Sequence, residues 1–196
     1  VEILTKAELK NIYRTEYNLF FSRIGKYQTL LKILKKHPDY MTWKYIHQMR
    51  KTSYYYGKRK NGPFNSFLYI MNCRKFNNLG RKLGIESGEN VFEKGLKIFH
   101  TQGIVVNGNA RVGKNCRLYG NNCIGNNGIT NKCPILGDNI KVCVGAKIIG
   151  DIELAEGIVV AAGAVVTKSC YEKNAILAGI PAKIIGYVGE DKIFLD

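Results

Sequence analysis

Three histidines occur in this 196-residue sequence, His37, His47 and His100, and only the last stands outside a helical pattern. Imidazole titrates near neutral pH, so it can take a proton from a reacting group and return it within one catalytic cycle. His100 lies in the segment Ile98-Phe-His-Thr-Gln-Gly-Ile-Val-Val106. By residue type alone it is either a general base or an ordinary surface histidine. Six cysteines (Cys73, Cys116, Cys123, Cys133, Cys143, Cys170) show no CxxC spacing and no Cys/His cluster. They read as reduced thiols of a cytosolic protein rather than as metal ligands or a disulfide framework. A zinc site built on histidines needs three of them together, and His37 and His47 fall in the helical part while the repeat region holds only His100, so no metal is expected.

The element that must position His100 is written in sixes. Taking every sixth residue from Val106 gives Val106, Val112, Leu118, Ile124, Thr130, Leu136, Val142, Ile148, Leu154, Val160 and Val166. Ten of the eleven are aliphatic, which neither the helical period of 3.6 nor the strand period of 2 explains. Four residues after each aliphatic, the occupant is mostly small or aliphatic, as at Ala110, Cys116, Ala146 and Ala164, and Gly and Asn crowd the positions between. A six-residue unit fits a short flat strand plus a turn, with three units closing one triangular coil. Coils then stack at about 4.8 Å, each strand pairing with the coils above and below. The spacing predicts a left-handed parallel β-helix with coils from about 88 to 172 and with Val112, Leu118, Ile148, Leu154 and Val160 inside it.

The frame slips near His100. Phe92, Ile98 and Ile104 keep the spacing of six, but the long register starts at Val106, two residues late. A closed coil absorbs two extra residues only by pushing a corner outward. His100 is therefore expected on a displaced, exposed corner, where a catalytic base belongs.

Charge separates this coil region from what precedes it. Residues 1–84 carry 18 Lys/Arg against 4 Asp/Glu, and residues 85–196 carry 12 against 11. The expected organisation is a basic α-helical domain over 1–84, a β-helix over 85–187 and a tail over 188–196, an α+β chain. Partners for the basic part are anionic lipid head groups, an acidic saccharide or nucleic acid; a solvated Lys-rich surface is the bland alternative. Thr5 to Glu8 has capping-box form, and Tyr27, Leu30, Leu31 and Leu34 repeat at helical spacing up to Pro38. Thr42 is placed as the cap of a second helix, and Tyr54-Tyr-Tyr-Gly57 and Asn61-Gly62-Pro63 are placed as its breaks. Pro63 opens a third, carrying Phe64, Phe67, Phe76, Leu79 and Leu83 and ending near Gly84. Aromatic stripes at helical spacing are read as core rather than as base-stacking platforms, so nucleic acid is not expected. No apolar run is long enough to span a bilayer, and the first residues lack a signal-peptide apolar region. The chain is expected in the cytoplasm, with the basic helices able to rest on an anionic membrane face.

Five blocks, IFHTQGIVVNGNARVG (98–113), CPILGDN (133–139), VGAKIIGDI (144–152), AAGAVVTKS (161–169) and AGIPAKIIG (178–186), resemble the hexapeptide-repeat acyltransferases. The block around His100 is similar to the serine acetyltransferase branch, and the short helical part looks like that of capsule-locus members. The resemblance implies acetyl transfer from acetyl-CoA to a hydroxyl, with His100 as the base and a homotrimer whose sites lie between subunits. It implies a carboxylate that orients the histidine; Glu86 is nearest to that position, with Glu89 and Glu93 behind it. The pantetheine arm is expected along the backbone of Gly145, Ala146, Ala162 and Gly163, with Lys168 and Lys183 meeting phosphates. Acceptor contacts are expected at Tyr119, Lys132 and Cys133. Serine-specific members carry a histidine where this sequence has Cys133, and tend to have a longer helical domain and tail. The expected acceptor is accordingly a sugar hydroxyl of a surface polysaccharide, with L-serine second. An inactive β-helix scaffold or a polybasic binding module are the readings outside catalysis.

Overall fold

A computed structural model of the chain describes residues 5–189, in four helices followed by a triangular parallel β-helix. Helix α1 (Lys6–Phe21) starts on the expected capping box. The Glu8 N–H donates to Thr5 Oγ1 at 3.1 Å, and the Thr5 N–H donates to Glu8 Oε2 at 2.9 Å. Helix α2 (Lys26–Leu34) is short, and α3 (Pro38–Lys58) starts with Pro38 at its first position and His37 Nδ1 accepting from the Asp39 N–H. Helix α4 (Pro63–Leu83) ends on Gly84 at φ +66°, a left-handed cap that glycine adopts without steric cost.

Three sequence expectations fail in this region. Four helices form where three were expected, because the first expected helix divides into α1 and α2 over residues 22–25, with Gly25 as the N-cap of α2. Thr42 caps nothing: its hydroxyl donates back to the carbonyls of Pro38 and Asp39, inside α3. Tyr54-Tyr-Tyr-Gly57 does not break α3 either, since Tyr54 is buried and its packing outweighs the roughly 1 kcal/mol that a mid-helix glycine costs. The stripes read as core are only partly so. Tyr45, Ile46 and Met49 of α3 join Phe76 and Leu83 of α4 against the first coil, whereas Tyr27 is 72% exposed and Phe64 is 70% exposed. Helical spacing fixes which residues share a face; it does not fix whether the fold covers that face.

The β-helix has three faces. The first stacks Ile85–Ser87, Ile104–Val106, Cys123–Gly125, Lys147–Ile149 and Val165–Val166. The second stacks Arg111–Val112, Ile135–Leu136 and Glu153–Leu154. The third stacks Lys97–Ile98, Arg117–Leu118, Lys141–Val142, Val159–Val160 and Ala175–Gly179, and Ala182–Tyr187 adds to it as an antiparallel strand. Val112, Leu118, Ile148, Leu154 and Val160 are all buried in the prism. Thr130 is not. Ile124 pairs with Ile148, a full hexad further on than the Ile148–Val166 pair, so residues 126–132 leave the prism as a loop and the chain is buried again at Cys133 and Pro134. Because the excursion adds six residues, the period runs through it undisturbed.

One buried ion pair ties the two parts together. Arg50 of α3 donates through Nε and Nη2 to Glu16 Oε1 of α1 at 3.0 and 2.7 Å. Its Nη1 and Nη2 also donate to the carbonyls of Phe92 and Glu93 at 2.5 and 2.6 Å. Those carbonyls belong to the first coil, so a single guanidinium joins two helices to the β-helix. No described helix is long and apolar enough to cross a membrane.

Candidate active site

The two extra residues fall where the register slips. Ile98 pairs with Leu118 twenty positions on, against eighteen for Val142 and Val160, and the surplus bulges at the corner between the third and first faces. Gln102 and Gly103 turn that corner in left-handed conformations, at φ +77° and +70°. For Gln102 this is a strained position, and the surroundings hold it. The Gln102 N–H donates to the Leu83 carbonyl at the end of α4, and the Gln102 carbonyl accepts from Asn121 N–H in the coil below. His100 stands exposed on this bulge, beside a recess of about 350 Å³ lined by Thr101, Gln102, Tyr119, Gly120, Asn121 and Val144.

The floor under His100 is set by residues that sequence reasoning missed. Asn122 is fully buried; its Oδ1 accepts from the Gly120 N–H at 2.9 Å, and its Nδ2 donates to the Cys143 carbonyl at 2.7 Å. Gly120 has φ +105°, and a methyl group there would lie 3.1 Å from both His100 Cβ and the His100 carbonyl. The signal available in the sequence was Gly120-Asn-Asn122 one coil below the slip. Gly120→Ala is expected to cost about 1–2 kcal/mol from the left-handed backbone and to lower turnover by displacing His100. Paired melting and rate measurements check this; an unchanged rate would mean His100 need not keep its height. Phe99 and Tyr119 complete the wall, their rings stacked at 4.5 Å and nearly parallel.

Along the same edge the coils present small residues. The Gly145 N–H donates to the Gly120 carbonyl, and the Gly163 N–H donates to the Val144 carbonyl. Gly120, Gly145, Ala162 and Gly163 thus run down one corner from His100, with Ala162 and Gly163 exposed and open space where a side chain at 163 would stand. Lys168 and Lys183 are exposed further along the chain. Ala146 does not belong with them. Its side chain is in the prism, its N–H donates to Cys143 and its carbonyl accepts from Cys123, so it has nothing to offer a ligand.

The other expected site residues are dispersed within one chain. Lys132 ends the excursion, and Cys133 follows where the chain re-enters the prism, at the corner between the first and second faces, a different edge from His100 and Tyr119. Lys132 pairs with Asp151 at 2.7 Å. Cys133 is buried in the core, so its thiol is not exposed to an acceptor, and burial pushes its pKa up. Burial likewise raises Cys143 and takes Cys116 up to about 12, so none of the three is poised as a thiolate nucleophile. Glu86 points outward beside Val105 into a separate cavity against α4, shared with Tyr45, Asn77 and Arg81. Among the described residues no hydrogen bond joins Glu86 to His100. Glu89 accepts from the Tyr69 hydroxyl at 2.8 Å. No group of three or more His, Cys, Asp or Glu that could hold a metal is found among the described residues.

No family model matches the chain. Among curated proteins, serine acetyltransferase of Salmonella typhimurium is 31% identical over 105 residues, which cover 53% of this chain and 38% of that protein. Serine acetyltransferase of Staphylococcus xylosus is 24% identical over 182 residues, covering 90% of this chain and 77% of that one. The chain thus spans well under half the length of the Salmonella relative. In shape, it superimposes on a serine acetyltransferase in complex with coenzyme A from Brucella abortus with a TM-score of 0.69, at 24% identity, over 94% of this chain and 70% of that one. The serine acetyltransferase from Neisseria gonorrhoeae in complex with serine gives 0.68, at 20% identity, over 92% and 70%. The chain has the serine acetyltransferase fold. Helical amino-terminal part and left-handed parallel β-helix agree over most of the described length.

Proposed function

We propose that this chain transfers an acetyl group from acetyl-CoA to a hydroxyl, with His100 as general base. The observation that carries the reading is an exposed histidine on a two-residue bulge at the head of a glycine-lined edge. His100 takes the hydroxyl proton as the oxygen attacks the thioester carbon. The tetrahedral oxyanion collapses, the C–S bond breaks, and the thiolate leaves with the proton returned from the imidazolium. Turn N–H groups of the corner are candidates to stabilise the oxyanion. The pantetheine arm would lie along Gly145, Ala162 and Gly163, with Lys168 and Lys183 as candidate phosphate contacts. Support for the donor comes from the coenzyme A complexes of fold neighbours.

L-serine is the leading acceptor, because the curated relatives are serine acetyltransferases. That reverses the order expected from the sequence. A sugar hydroxyl stays as the second reading on one observation: Cys133, at the position where serine-specific members carry a histidine, is buried. Lys132 and His100 lie on different edges, so a site that uses both needs a neighbouring copy; that the assembly is a trimer rests on the family resemblance. Glu86 is kept as the orienting carboxylate only on its match to the family pattern.

Coenzyme A should stabilise the protein against heat. At a hundredfold excess over Kd the gain is about 2.7 kcal/mol, or roughly 5–10 °C in Tm for a chain of this size. A melting curve unmoved by millimolar coenzyme A would contradict the groove.

A further inference from the structure

We propose that the outward face of α4 docks on an anionic phospholipid surface. The proposal is independent of the reading of His100 and leaves L-serine as the leading acceptor. Between Asp39 and Glu86 the sequence holds ten Lys/Arg and no Asp/Glu. Lys58-Arg-Lys60 comes just before α4, and Arg74, Lys75, Arg81 and Lys82 lie on it.

Helical spacing explains how the face arises. Asn72, Phe76, Gly80 and Leu83 recur at intervals of three and four and are buried, on the side where α4 packs against α3 and the first coil. Phe64, Phe67, Met71 and Arg74 recur at the same intervals on the opposite side, with Ile70 beside them. Phe64 is 70% exposed, Ile70 62% and Phe67 58%, so the described fold leaves this apolar patch uncovered. Cations bracket it at both ends. Ser66 Oγ donates to the Arg59 carbonyl at 2.7 Å, which folds the basic turn back onto the start of α4. Beyond Met71, Arg74, Lys75, Arg81 and Lys82 have no carboxylate partner among the described residues, and Arg81 donates to the neutral amide oxygen of Asn78.

Charge and side-chain chemistry together choose the occupant. An isologous contact with a second copy would set this cation cluster against itself, with no carboxylate between Asp39 and Glu86 to answer it. A nucleic acid would answer the charge, but Ile70 and Met71 offer no flat ring for a base. An anionic bilayer answers both halves. Phe64, Phe67 and Ile70 enter the boundary between head groups and acyl chains, and the cations on either side meet phosphates. Open recesses between Arg74, Asn77, Asn78, Arg81 and Lys82 are lined by guanidinium, ammonium and amide groups alone, which suits a phosphodiester head group. The face runs about 27 Å from Phe64 to Lys82, so it lies along the surface with its amino-terminal half dipped into it.

Co-sedimentation of the full chain with vesicles of equal parts phosphatidylglycerol and phosphatidylcholine, beside phosphatidylcholine alone, tests this. The anionic vesicles should bind at least ten-fold tighter, and less tightly as salt is raised. Arg74→Gln/Lys75→Gln should weaken binding about 25-fold, at roughly five-fold per surface cation. Phe64→Ser/Phe67→Ser should weaken it ten-fold or more. All four residues are exposed, so both variants should melt as the wild type does. No binding to the anionic vesicles, equal binding to neutral ones, or wild-type affinity in either folded variant would overturn the proposal. So would a random-sequence DNA duplex that binds tighter than the vesicles and is indifferent to the phenylalanines. An oligomer seen by sedimentation velocity and dissociated by Phe64→Ser/Phe67→Ser would assign the face to a second copy and overturn it too. His100→Ala should bind vesicles as the wild type does, which keeps this test separate from acetyl transfer.

Discussion

His100→Ala is expected to lower kcat by roughly 10²–10⁴-fold, the usual worth of a positioned general base, while the protein stays folded and still binds coenzyme A. Each part has its own cause. The imidazole is exposed on a bulge, so removing it deletes little packing. The proposed pantetheine path runs along Gly145, Ala162 and Gly163, two and three coils away from His100. Glu86→Ala should cost less, since water can partly replace a group that only orients, and Glu86 makes no hydrogen bond to His100 among the described residues. Rates measured beside a coenzyme A thermal shift separate these effects. Wild-type turnover in a folded, coenzyme-binding His100→Ala protein would remove the histidine from the mechanism.

Arg50→Ala is expected to be the most destabilising single change, at about 3–5 kcal/mol, lowering Tm by roughly 10 °C. Arg50 and Glu16 are 2% and 1% exposed, so water cannot take over when one partner is lost. The variant would leave a buried carboxylate without its cation and two first-coil carbonyls, of Phe92 and Glu93, without their donors. The pair is itself imperfect, since Glu16 Oε2 has no partner among the described residues. Replacing both ions with apolar residues should therefore recover part of the loss, but not the part owed to the carbonyls. Thermal melts of Arg50→Ala and of Glu16→Leu/Arg50→Met decide the matter. A shift of only a degree or two in Arg50→Ala would mean that apolar packing and the other helix–coil hydrogen bonds, such as Tyr45 to Ser87 and Tyr69 to Glu89, hold the helices to the coil without this guanidinium.

The prism and the bulge were legible because both are matters of counting. Ten aliphatics among eleven positions at a fixed spacing have one good geometric explanation, and a two-residue slip in a closed coil has to emerge at a corner. The same counting hid the loop over 126–132, since an insertion equal to the period leaves no trace in it. Cys133 looked like a site residue from its block and turned out buried, because a block match fixes position along the chain and not the direction of a side chain. Asn122 was passed over for a related reason, although Gly120-Asn-Asn122 stands one coil below the slip. A buried amide that braces a glycine turn looks, in sequence, like one more Asn in an Asn-rich stretch. The exposed stripes of α2 and α4 show the limit of periodicity, which gives a helix its apolar face without saying what covers it.

The most direct test of acyl transfer at the His100 corner is acceptor-dependent release of free thiol from acetyl-CoA by the wild-type chain. L-serine and a panel of neutral and acidic sugars serve as acceptors, with His100→Ala run alongside. The account predicts thiol release with at least one hydroxyl acceptor and its loss in the variant. A folded wild-type protein that binds coenzyme A yet releases no thiol with any of these acceptors would contradict it.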